Sequence, residues 1–416
     1  MSDAAGESST PAPPDGLLKH RAFLWFWTSR VLMAMGFQIT SVAIGWRIYE
    51  MTGSAYALGF VGLVQFLPML ALTLVSGHVA DRYDRRMIVI ICQFLEAATL
   101  AFLVYGIFAG WTGVFGIYAA VALLGAAQAF VAPTLSAMLP AVVPTALLPR
   151  AMAMSSSAFQ TAMIVGPSAG GVLYAFGAPV PFIAAGVCFL VGALATIMIR
   201  VERRAPSREP VTLKSVFGGL TFIWGRPVVL GTISLDLFAV LLGGVVALLP
   251  IFAKDILQTG PWGLGLLRAM PAVGALAMAA VLTKYNVERG IGMKMFWSVI
   301  IFGVATVIFA LSVNLWLSLV ALFVLGAADN VSVVIRTSLV LLQTPDEMRG
   351  RVNAVNFLAI GTSNQLGEFW AGMMGGLMGV VVAGALGGTL TIAVTLLWMK
   401  LFPDLRKADR YEVADD

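Results

Sequence analysis

Long apolar stretches, separated by short charged or Gly- and Pro-containing turns, recur along the whole chain. Stretches of about 18 or more apolar residues with few charges are typical of membrane-spanning helices. Extending each stretch to its nearest turn or charge predicts twelve helices, over residues 23–48, 55–78, 87–109, 112–139, 150–176, 180–200, 227–252, 262–284, 292–312, 315–342, 352–378 and 380–402.

The longest connection between predicted helices, residues 201–225, is polar, basic and contains proline. It separates six predicted helices from the next six, which is the pattern of an internally duplicated carrier. We therefore expect an all-α integral membrane protein, with twelve transmembrane helices forming two pseudo-symmetric six-helix bundles around a central cavity. The expected division is a disordered cytoplasmic tail (1–20), a first bundle (21–200), a cytoplasmic linker (201–225), a second bundle (226–403) and a cytoplasmic tail (404–416).

Composition excludes several functional classes. Hydrophobic residues make up 59% of the 416 positions and charged residues only 11%, as expected of a polytopic membrane protein. The two cysteines, Cys92 and Cys188, lie inside apolar stretches and are interpreted as packing residues rather than metal ligands. The two histidines have no metal-binding or nucleophile motif beside them, and no Walker-type phosphate loop is present, so an enzyme, a cofactor or ATP-driven transport is not expected.

The distribution of basic residues predicts the orientation in the membrane. With both termini inside, 21 of the 26 Lys and Arg residues fall at predicted cytoplasmic ends and loops, and three, Arg47, Lys254 and Arg268, fall outside. This bias fits the positive-inside rule with both termini in the cytoplasm. We therefore interpret the net charge of +5 as a topology signal and not as a nucleic-acid surface.

A densely charged turn follows the second predicted helix and includes Gly77, Asp81, Arg82, Arg85 and Arg86. A carboxylate at a membrane boundary can pair with a cation or accept hydrogen bonds from a helix N-terminus, and so hold one conformation. These residues are candidates for a conformational gate. The alternative is a solvated basic loop that only fixes topology.

A second candidate segment, on the fifth predicted helix, contains Gly166, Pro167, Gly170 and Gly171. Proline removes a backbone donor and bends a helix, whereas glycines allow neighbouring helices to approach closely. The segment could form a compliant interface near the central cavity. A kink with only a structural role is the alternative.

These two segments resemble motifs of the major facilitator superfamily, and the resemblance extends to the whole predicted twelve-helix layout. The charged turn is similar to the loop motif between that family's second and third helices, with Val79 and Asp84 in place of Leu and Gly. The glycine segment resembles the antiporter motif, with Ala162 where another Gly is usual, and this implies export rather than uptake. Residues 45–54, 344–356 and 363–369 resemble the enterobactin-exporter branch, the transmembrane secretion effectors.

Several charged residues lie deep within predicted spans, among them Arg30, Glu96, Asp236, Asp329, Arg336 and Glu368. A charge near the bilayer centre costs roughly 2.5–3.5 kcal/mol on insertion scales, so such residues are candidates for coupling or substrate binding. Asp236, Asp329 or Glu368 could bind and release a proton as access alternates, or could form interhelical ion pairs, and Glu96 has the same two interpretations. Arg30 could attract an anionic group, or contact a lipid headgroup or a helix end.

The fourth predicted helix, around Gln128, lacks the buried Arg that many proton-coupled drug exporters carry in a second motif, so coupling would need another site.

Together these features favour a secondary active exporter of a small amphipathic organic compound, siderophore-like or drug-like, with proton coupling left open. Its expected partners are that solute, protons and the lipid bilayer, and it is expected to act as a monomer in the cell inner membrane. The alternatives are a uniporter or importer of the same fold, a membrane enzyme, and a non-transporting sensor or scaffold.

Overall fold

The computed structural model describes residues 16–199, 213–285 and 288–411. The helices of the first half are α1 (Arg21–Thr52), α2 (Ala55–Arg82), α3 (Arg85–Phe108), α4 (Val114–Val142), α5 (Leu148–Ala175), α6 (Pro179–Ile197) and α7 (Leu213–Trp224). Those of the second half are α8 (Pro227–Leu242), α9 (Leu249–Ile251), α10 (Gly260–Lys284), α11 (Ile291–Leu311), α12 (Leu315–Leu342), α13 (Asp346–Met378), α14 (Val380–Leu401) and α15 (Pro403–Lys407). Short helical turns, Val245–Leu248 and Phe252–Ile256, flank α9.

Ten helical segments among these residues are long and apolar enough to cross a membrane, and one of them, Pro227–Ile256, includes α8 and α9. Helices α5 and α13, with 28 and 33 residues, are also long enough, but they are not among the ten. Helix α5 is rich in Ser and Gly, and α13 combines five charged residues with several Asn and Gly residues, so both are less apolar than the ten segments. The predicted spans 150–176 and 352–378 are therefore long helices of intermediate polarity.

Capping residues in the sequence mark where several helices begin. The Ser54 side chain accepts a hydrogen bond from the Ala57 amide at the start of α2, and Asp84 accepts one from the Arg86 amide at the start of α3. Asn314 caps α12 in the same way. Gly53 ends α1 with φ +58°, a left-handed conformation that glycine adopts without strain.

Because short turns join the long helices, successive helices run in opposite directions and the turns alternate between two ends of the molecule. We call one end the basic end: it carries the turn at 83–84, helix α7 and residues 402–411. The opposite end, which carries the turns at 53–54, 109–113 and 312–314, is the distal end.

Helix packing shows an internal repeat. In the first set, α1 contacts α5 and α6, α2 contacts α4, and α3 contacts α4 and α6. The same pattern recurs in the second set, where α8 contacts α13 and α14, α10 contacts α12, and α11 contacts α12 and α14. Helices α1–α6 therefore correspond in order to α8, α10, α11, α12, α13 and α14.

Two further elements lie at the basic end. Helix α7, inside the predicted linker 201–225, packs on α13, where Gly219 lies against the backbone of Arg351. The final described residues are also packed: Leu405 of α15 is fully buried, and the amide of Gly292 donates to the carbonyl of Ala408 at 3.0 Å. At the other terminus, Leu17 is buried in a 3₁₀ turn, whereas residues 1–15 and 412–416 of the predicted tails lie outside the described residues.

Candidate functional site between the two sets of helices

The first seam between the two sets is formed by α5 and α10 near the distal end. A methyl group added to Gly171 of α5 would lie 3.0 Å from the Cα atom of Gly265 on α10, and one added to Gly265 would lie 3.1 Å from the Cα atom of Ser168. These distances leave no room for a side chain. We call this contact the α5–α10 seam.

The structure divides the predicted glycine segment between two neighbours. Gly166 and Gly170 face α1, where a methyl group on Gly170 would lie 3.1 Å from the Cα atom of Ile39. Pro167 and Gly171 face α10 instead. The segment therefore packs inside the first set on one face and contributes to the seam on the other, and α5 remains a continuous helix through Pro167.

The second seam, between α2 and α13, is equally close. A methyl group on Gly59 would lie 3.0 Å from the Cα atom of Gly372, and one on Gly62 would lie 2.9 Å from the Cβ atom of Glu368. Gly361 contacts Met69 near the middle of both helices. This α2–α13 seam therefore occupies the half of each helix nearer the distal end.

The seams do not extend to the basic end. Ser156 and Ala153 lie on the same face of α5 as Pro167, three and four helical turns nearer the basic end, and both are exposed. Phe357, one turn below Gly361 on α13, is 65% exposed. These faces of α5 and α13 are thus in contact with the other set near the distal end and uncovered near the basic end.

A charged cluster joins the two sets where the closed part begins. Arg268 of α10 donates a hydrogen bond to the hydroxyl of Ser41 on α1 and interacts electrostatically with Glu368 of α13. The buried Nε of Arg268 has no hydrogen-bond partner, and neither has the buried Oε1 of Gln365, one turn from Glu368. Four helices, α1, α2, α10 and α13, therefore meet around one cation, one carboxylate and two unused polar atoms.

More polar contacts cross between the sets at the distal rim. The Tyr49 hydroxyl on α1 donates to the carboxylate of Asp255, and the ammonium group of Lys254 lies 5.4 Å from the centre of the Tyr49 ring. Nearby, within the first set, the Tyr174 hydroxyl donates to Glu50 at 2.7 Å, and Arg47 pairs with Glu50 at 3.1 Å. The contacts of Tyr49 with Asp255 and Lys254 therefore join the distal ends of the two sets, whereas the Glu50 contacts join α1 to α5.

Other charges predicted as candidates are held inside one set. Arg336 of α12 forms an ion pair with Asp236 of α8, and both side chains are about nine-tenths buried. Glu96 is fully buried in the first set and accepts a hydrogen bond from Gln128 at 2.8 Å. The structure therefore brings together Asp236 and Arg336, but Glu96 is not part of that group.

Arg30 and Asp329 are half-buried, as is Glu368. In the part of the chain that the structure describes, neither side chain has a hydrogen-bond or ion-pair partner. Arg30 lies on α1, in the first set, and Asp329 lies on α12, in the second.

The charged turn after α2 makes contacts inside the first set. The Arg86 guanidinium donates to the carbonyl of Ile197 at the end of α6 at 2.7 Å, and Arg85 donates to the carbonyl of Ala137 on α4 at 3.1 Å. Arg82 is exposed. Gly77 and Asp81 lie in α2, but their side-chain environments fall outside what the structure describes.

Arg268 and Ser41 are the site residues that the sequence analysis missed. The sequence analysis places Arg268 among the charges of the outer side, but it lies eight residues, or about 12 Å, inside α10. The available signal was its position within an apolar stretch, which was the criterion used for the other six. Its partners are more than 90 residues away in the chain, so the pairing itself had no local signal.

An all-helical membrane protein with a repeated helix-packing pattern, and with a charged cluster where the two sets of helices meet, has the architecture of a carrier. Residues 9–414 match the model of the transmembrane secretion effector family, and the chain belongs to this family, a branch of the major facilitator superfamily. The family consists of membrane transporters, so the chain is a transporter and not an enzyme.

Curated relatives support the same classification. The multidrug efflux pump Tap of Mycolicibacterium fortuitum is 28% identical over 87% of this chain and 88% of its own length. The enterobactin exporter EntS of Citrobacter koseri is 26% identical over 94% of both chains.

Solved structures share the fold at low sequence identity. A bacterial homologue of the lysosomal transporter Spinster, in an inward-facing and unoccupied conformation, has a TM-score of 0.70 at 13% identity, covering 94% of this chain and 97% of that one. A bacterial homologue of the iron transporter ferroportin, also inward-facing, has a TM-score of 0.68 at 19% identity, covering 92% and 99%.

Proposed function

We propose that this protein is a secondary active exporter that moves a small amphipathic organic solute across the cell inner membrane, driven by protons moving in the opposite direction. Twelve transmembrane helices, including α5 and α13, form two pseudo-symmetric six-helix bundles, and the basic end faces the cytoplasm with both termini. The repeated packing pattern and the excess of basic residues at that end support this arrangement. One chain is the functional unit, because both sets that enclose the cavity belong to it.

The cluster of Arg268, Ser41 and Glu368 is the observation that carries the proposal. It lies at the closed end of a cavity that opens toward the cytoplasm, and its members come from both sets. Opening the distal end must separate Arg268 from Ser41, and this changes the surroundings of Glu368. Arg268 and Glu368 belong to the same set and stay together, but distal opening removes Gly62 of α2 from the Glu368 side chain. The proton affinity of Glu368 therefore depends on whether the distal end is closed or open, and this couples proton binding to the conformational change.

Export is favoured over uptake by the relatives, since both the efflux pump and the enterobactin exporter are named for moving compounds outward. The solute itself is proposed only as amphipathic, siderophore-like or drug-like. Among the predicted coupling residues, Glu368 is the one placed between the sets, whereas Asp236 is paired with Arg336 inside the second set.

The test is solute accumulation in inside-out vesicles with and without an imposed proton gradient, using catecholate, cationic and uncharged aromatic solutes. We expect gradient-driven, saturable accumulation by the parent protein, and in Glu368→Gln the loss of accumulation with retention of solute exchange at equal concentrations. Glu96→Gln is the matched control, because it removes a buried carboxylate that lies within one set. Solute flux by the parent protein that does not depend on the proton gradient would indicate a uniporter. A Glu368→Gln variant that still accumulates solute would exclude proton coupling at Glu368.

A further inference from the structure

Two unpartnered charges of opposite sign remain in the helix interiors once the pairs described above are set aside. They are Arg30 in the first set and Asp329 in the second, each without a hydrogen-bond or ion-pair partner among the residues that the structure describes. A charge held away from water is costly unless an opposite charge or hydrogen bonds compensate it. A ligand that carries one negative and one positive charge would compensate Arg30 and Asp329 together.

The direction of Arg30 follows from its position on α1. Ser41 points across to Arg268 in the second set. Arg30 precedes Ser41 by eleven residues, which is three helical turns to within about 20°, so both side chains leave the same face of α1. Arg30 therefore faces the second set, about 16 Å closer to the basic end, where the two sets are separated.

The direction of Asp329 follows from two contacts of α12. Arg336, two turns further along the same face, is paired with Asp236 of α8. Gly326, one turn earlier, packs against the backbone of Pro271 on α10. Asp329 thus faces the gap between α8 and α10, and the neighbouring Asn330 has a buried Nδ2 atom without a hydrogen-bond partner.

The two charges lie at comparable depths in the membrane. Arg30 is nine residues from the start of α1, about 14 Å from the basic end, and Asp329 is thirteen residues from the end of α12, about 20 Å from it. Both are half-buried. Arg30 lies on the basic-end side of the closed seams, and Asp329 lies near the depth of the Gly361–Met69 contact, where the α2–α13 seam ends. One small molecule in the cavity can therefore face a cationic wall and an acidic wall together.

We propose that the cavity binds a zwitterionic amphipathic solute, with its acidic group on the guanidinium of Arg30 and its amine on the carboxylate of Asp329. The planar guanidinium can bind a carboxylate through two parallel hydrogen bonds, and the unused amide donor of Asn330 adds a contact for an acceptor beside the amine. This assignment of the substrate class rests on the proposed transport function.

The experiment measures the affinity of the purified full-length protein for four fluorescent probes that share one dansyl group and one alkyl chain. Nε-dansyl-lysine is zwitterionic, dansylcadaverine lacks only its carboxylate, dansylaminohexanoate lacks only its amine, and N-pentyl dansylamide lacks both. We expect Nε-dansyl-lysine to bind at least tenfold more tightly than either singly charged probe.

Variants then assign each charge. Arg30→Gln should weaken the binding of Nε-dansyl-lysine and dansylaminohexanoate at least tenfold and leave the affinity for dansylcadaverine within twofold of the parent. Asp329→Asn should weaken the binding of Nε-dansyl-lysine and dansylcadaverine at least tenfold and leave the affinity for dansylaminohexanoate within twofold. Arg30→Lys and Asp329→Glu keep the charges and should retain most of the binding, which separates charge recognition from misfolding. Arg226→Gln and Asp404→Asn are matched controls, because both residues are exposed at the basic end.

Several results would overturn the assignment: no measurable binding of Nε-dansyl-lysine, equal binding of N-pentyl dansylamide, or variant affinities unchanged for all four probes. Binding of one singly charged probe as tightly as Nε-dansyl-lysine would show a simple anion or cation site instead. Binding in detergent does not depend on transport, so charge-dependent binding without vesicle flux would retain the site and reject the exporter. Flux in vesicles together with charge-independent binding would retain the exporter and reject the proposed binding site.

Discussion

Asp236 of α8 and Arg336 of α12 form a buried ion pair inside the second set of helices. Each is an ionisable residue within a predicted span, and each alone qualifies as a candidate for substrate or proton binding. Together they neutralise one another within a single set of helices. Their pairing therefore favours a structural role over a part in coupling.

Breaking this pair on one side is expected to destabilise the protein. Asp236→Asn or Arg336→Gln leaves a buried charge without compensation, which typically costs about 3–5 kcal/mol. The double variant Asp236→Asn/Arg336→Met removes both charges and should recover most of that loss. Thermal unfolding of the four proteins in one detergent measures this, and an Asp236→Asn protein of parental stability that has lost proton-driven flux would instead place coupling at Asp236.

The α5–α10 seam is expected to control distal opening. Gly171→Ala places a methyl group against the backbone of α10, and such overpacking typically costs about 1–3 kcal/mol. The cost falls on the distally closed state, so the population should shift toward distal opening. Spin labels at Phe176 and Trp262, both exposed near the distal end, should report longer distances in a background with both cysteines replaced.

Gly116→Ala provides the matched control for that experiment, because its nearest neighbour is a methyl group of Thr112 at 3.9 Å. It should leave the distance distribution unchanged. Equal distance distributions in Gly171→Ala and the parent would mean that the α5–α10 seam accommodates the added methyl group without opening the distal end.

The packed C-terminal segment is expected to stabilise the second set. Leu405 is fully buried among residues of α8, α11 and α12, and truncation of such a side chain costs about 2–5 kcal/mol. Leu405→Ala should lower the unfolding temperature and make the chain after Phe402 cleavable by protease. Arg406→Ala, at an exposed neighbouring position, should do neither. The tail is also held by the Gly292 amide, which donates to the Ala408 carbonyl, and by the Gly290 amide, which donates to the Asp409 carboxylate at 2.9 Å. Resistance of the Leu405→Ala tail to protease would mean that these two hydrogen bonds suffice to hold it.

Arg86 is expected to act as a cap for α6 rather than as a gate. Its hydrogen bond to the Ile197 carbonyl joins the start of α3 to the end of α6, and bonds to charged groups contribute about 1.5–3 kcal/mol. Arg86→Gln should therefore reduce stability by roughly that amount, while the exposed Arg82→Gln should not. Full stability of Arg86→Gln with altered flux would support the gating interpretation that the sequence motif suggested.

The length of the apolar segments predicted the long helices, because the thickness of the bilayer sets the minimum length of a spanning helix. The same signal says nothing about partners on other helices, and for this reason the sequence analysis placed Arg268 only among the outer charges, although it contacts Ser41. Helix α7 was also missed, since a basic, proline-containing connection has no spanning pattern. The hydrogen bonds of Gln93 with Ser29 and Thr196 likewise join residues of three helices and are invisible locally.

The glycine segment shows what a motif can and cannot predict. Its composition indicated close packing, and the structure shows close packing on both faces of α5. Which neighbour lies on each face depends on the arrangement of the other helices. Sequence spacing alone could not separate Gly170, which contacts α1, from Gly171, which contacts α10.

Most of the buried polar bonds named above, such as Glu96 with Gln128 and Asp236 with Arg336, connect helices of the same set. The cavity charges Arg30 and Asp329 take no part in them. Substitutions at those two positions can therefore alter which cargo the protein accepts without weakening the fold. A transporter built in this way can diversify its selectivity under evolution, or be redesigned in the laboratory, while its scaffold stays constant.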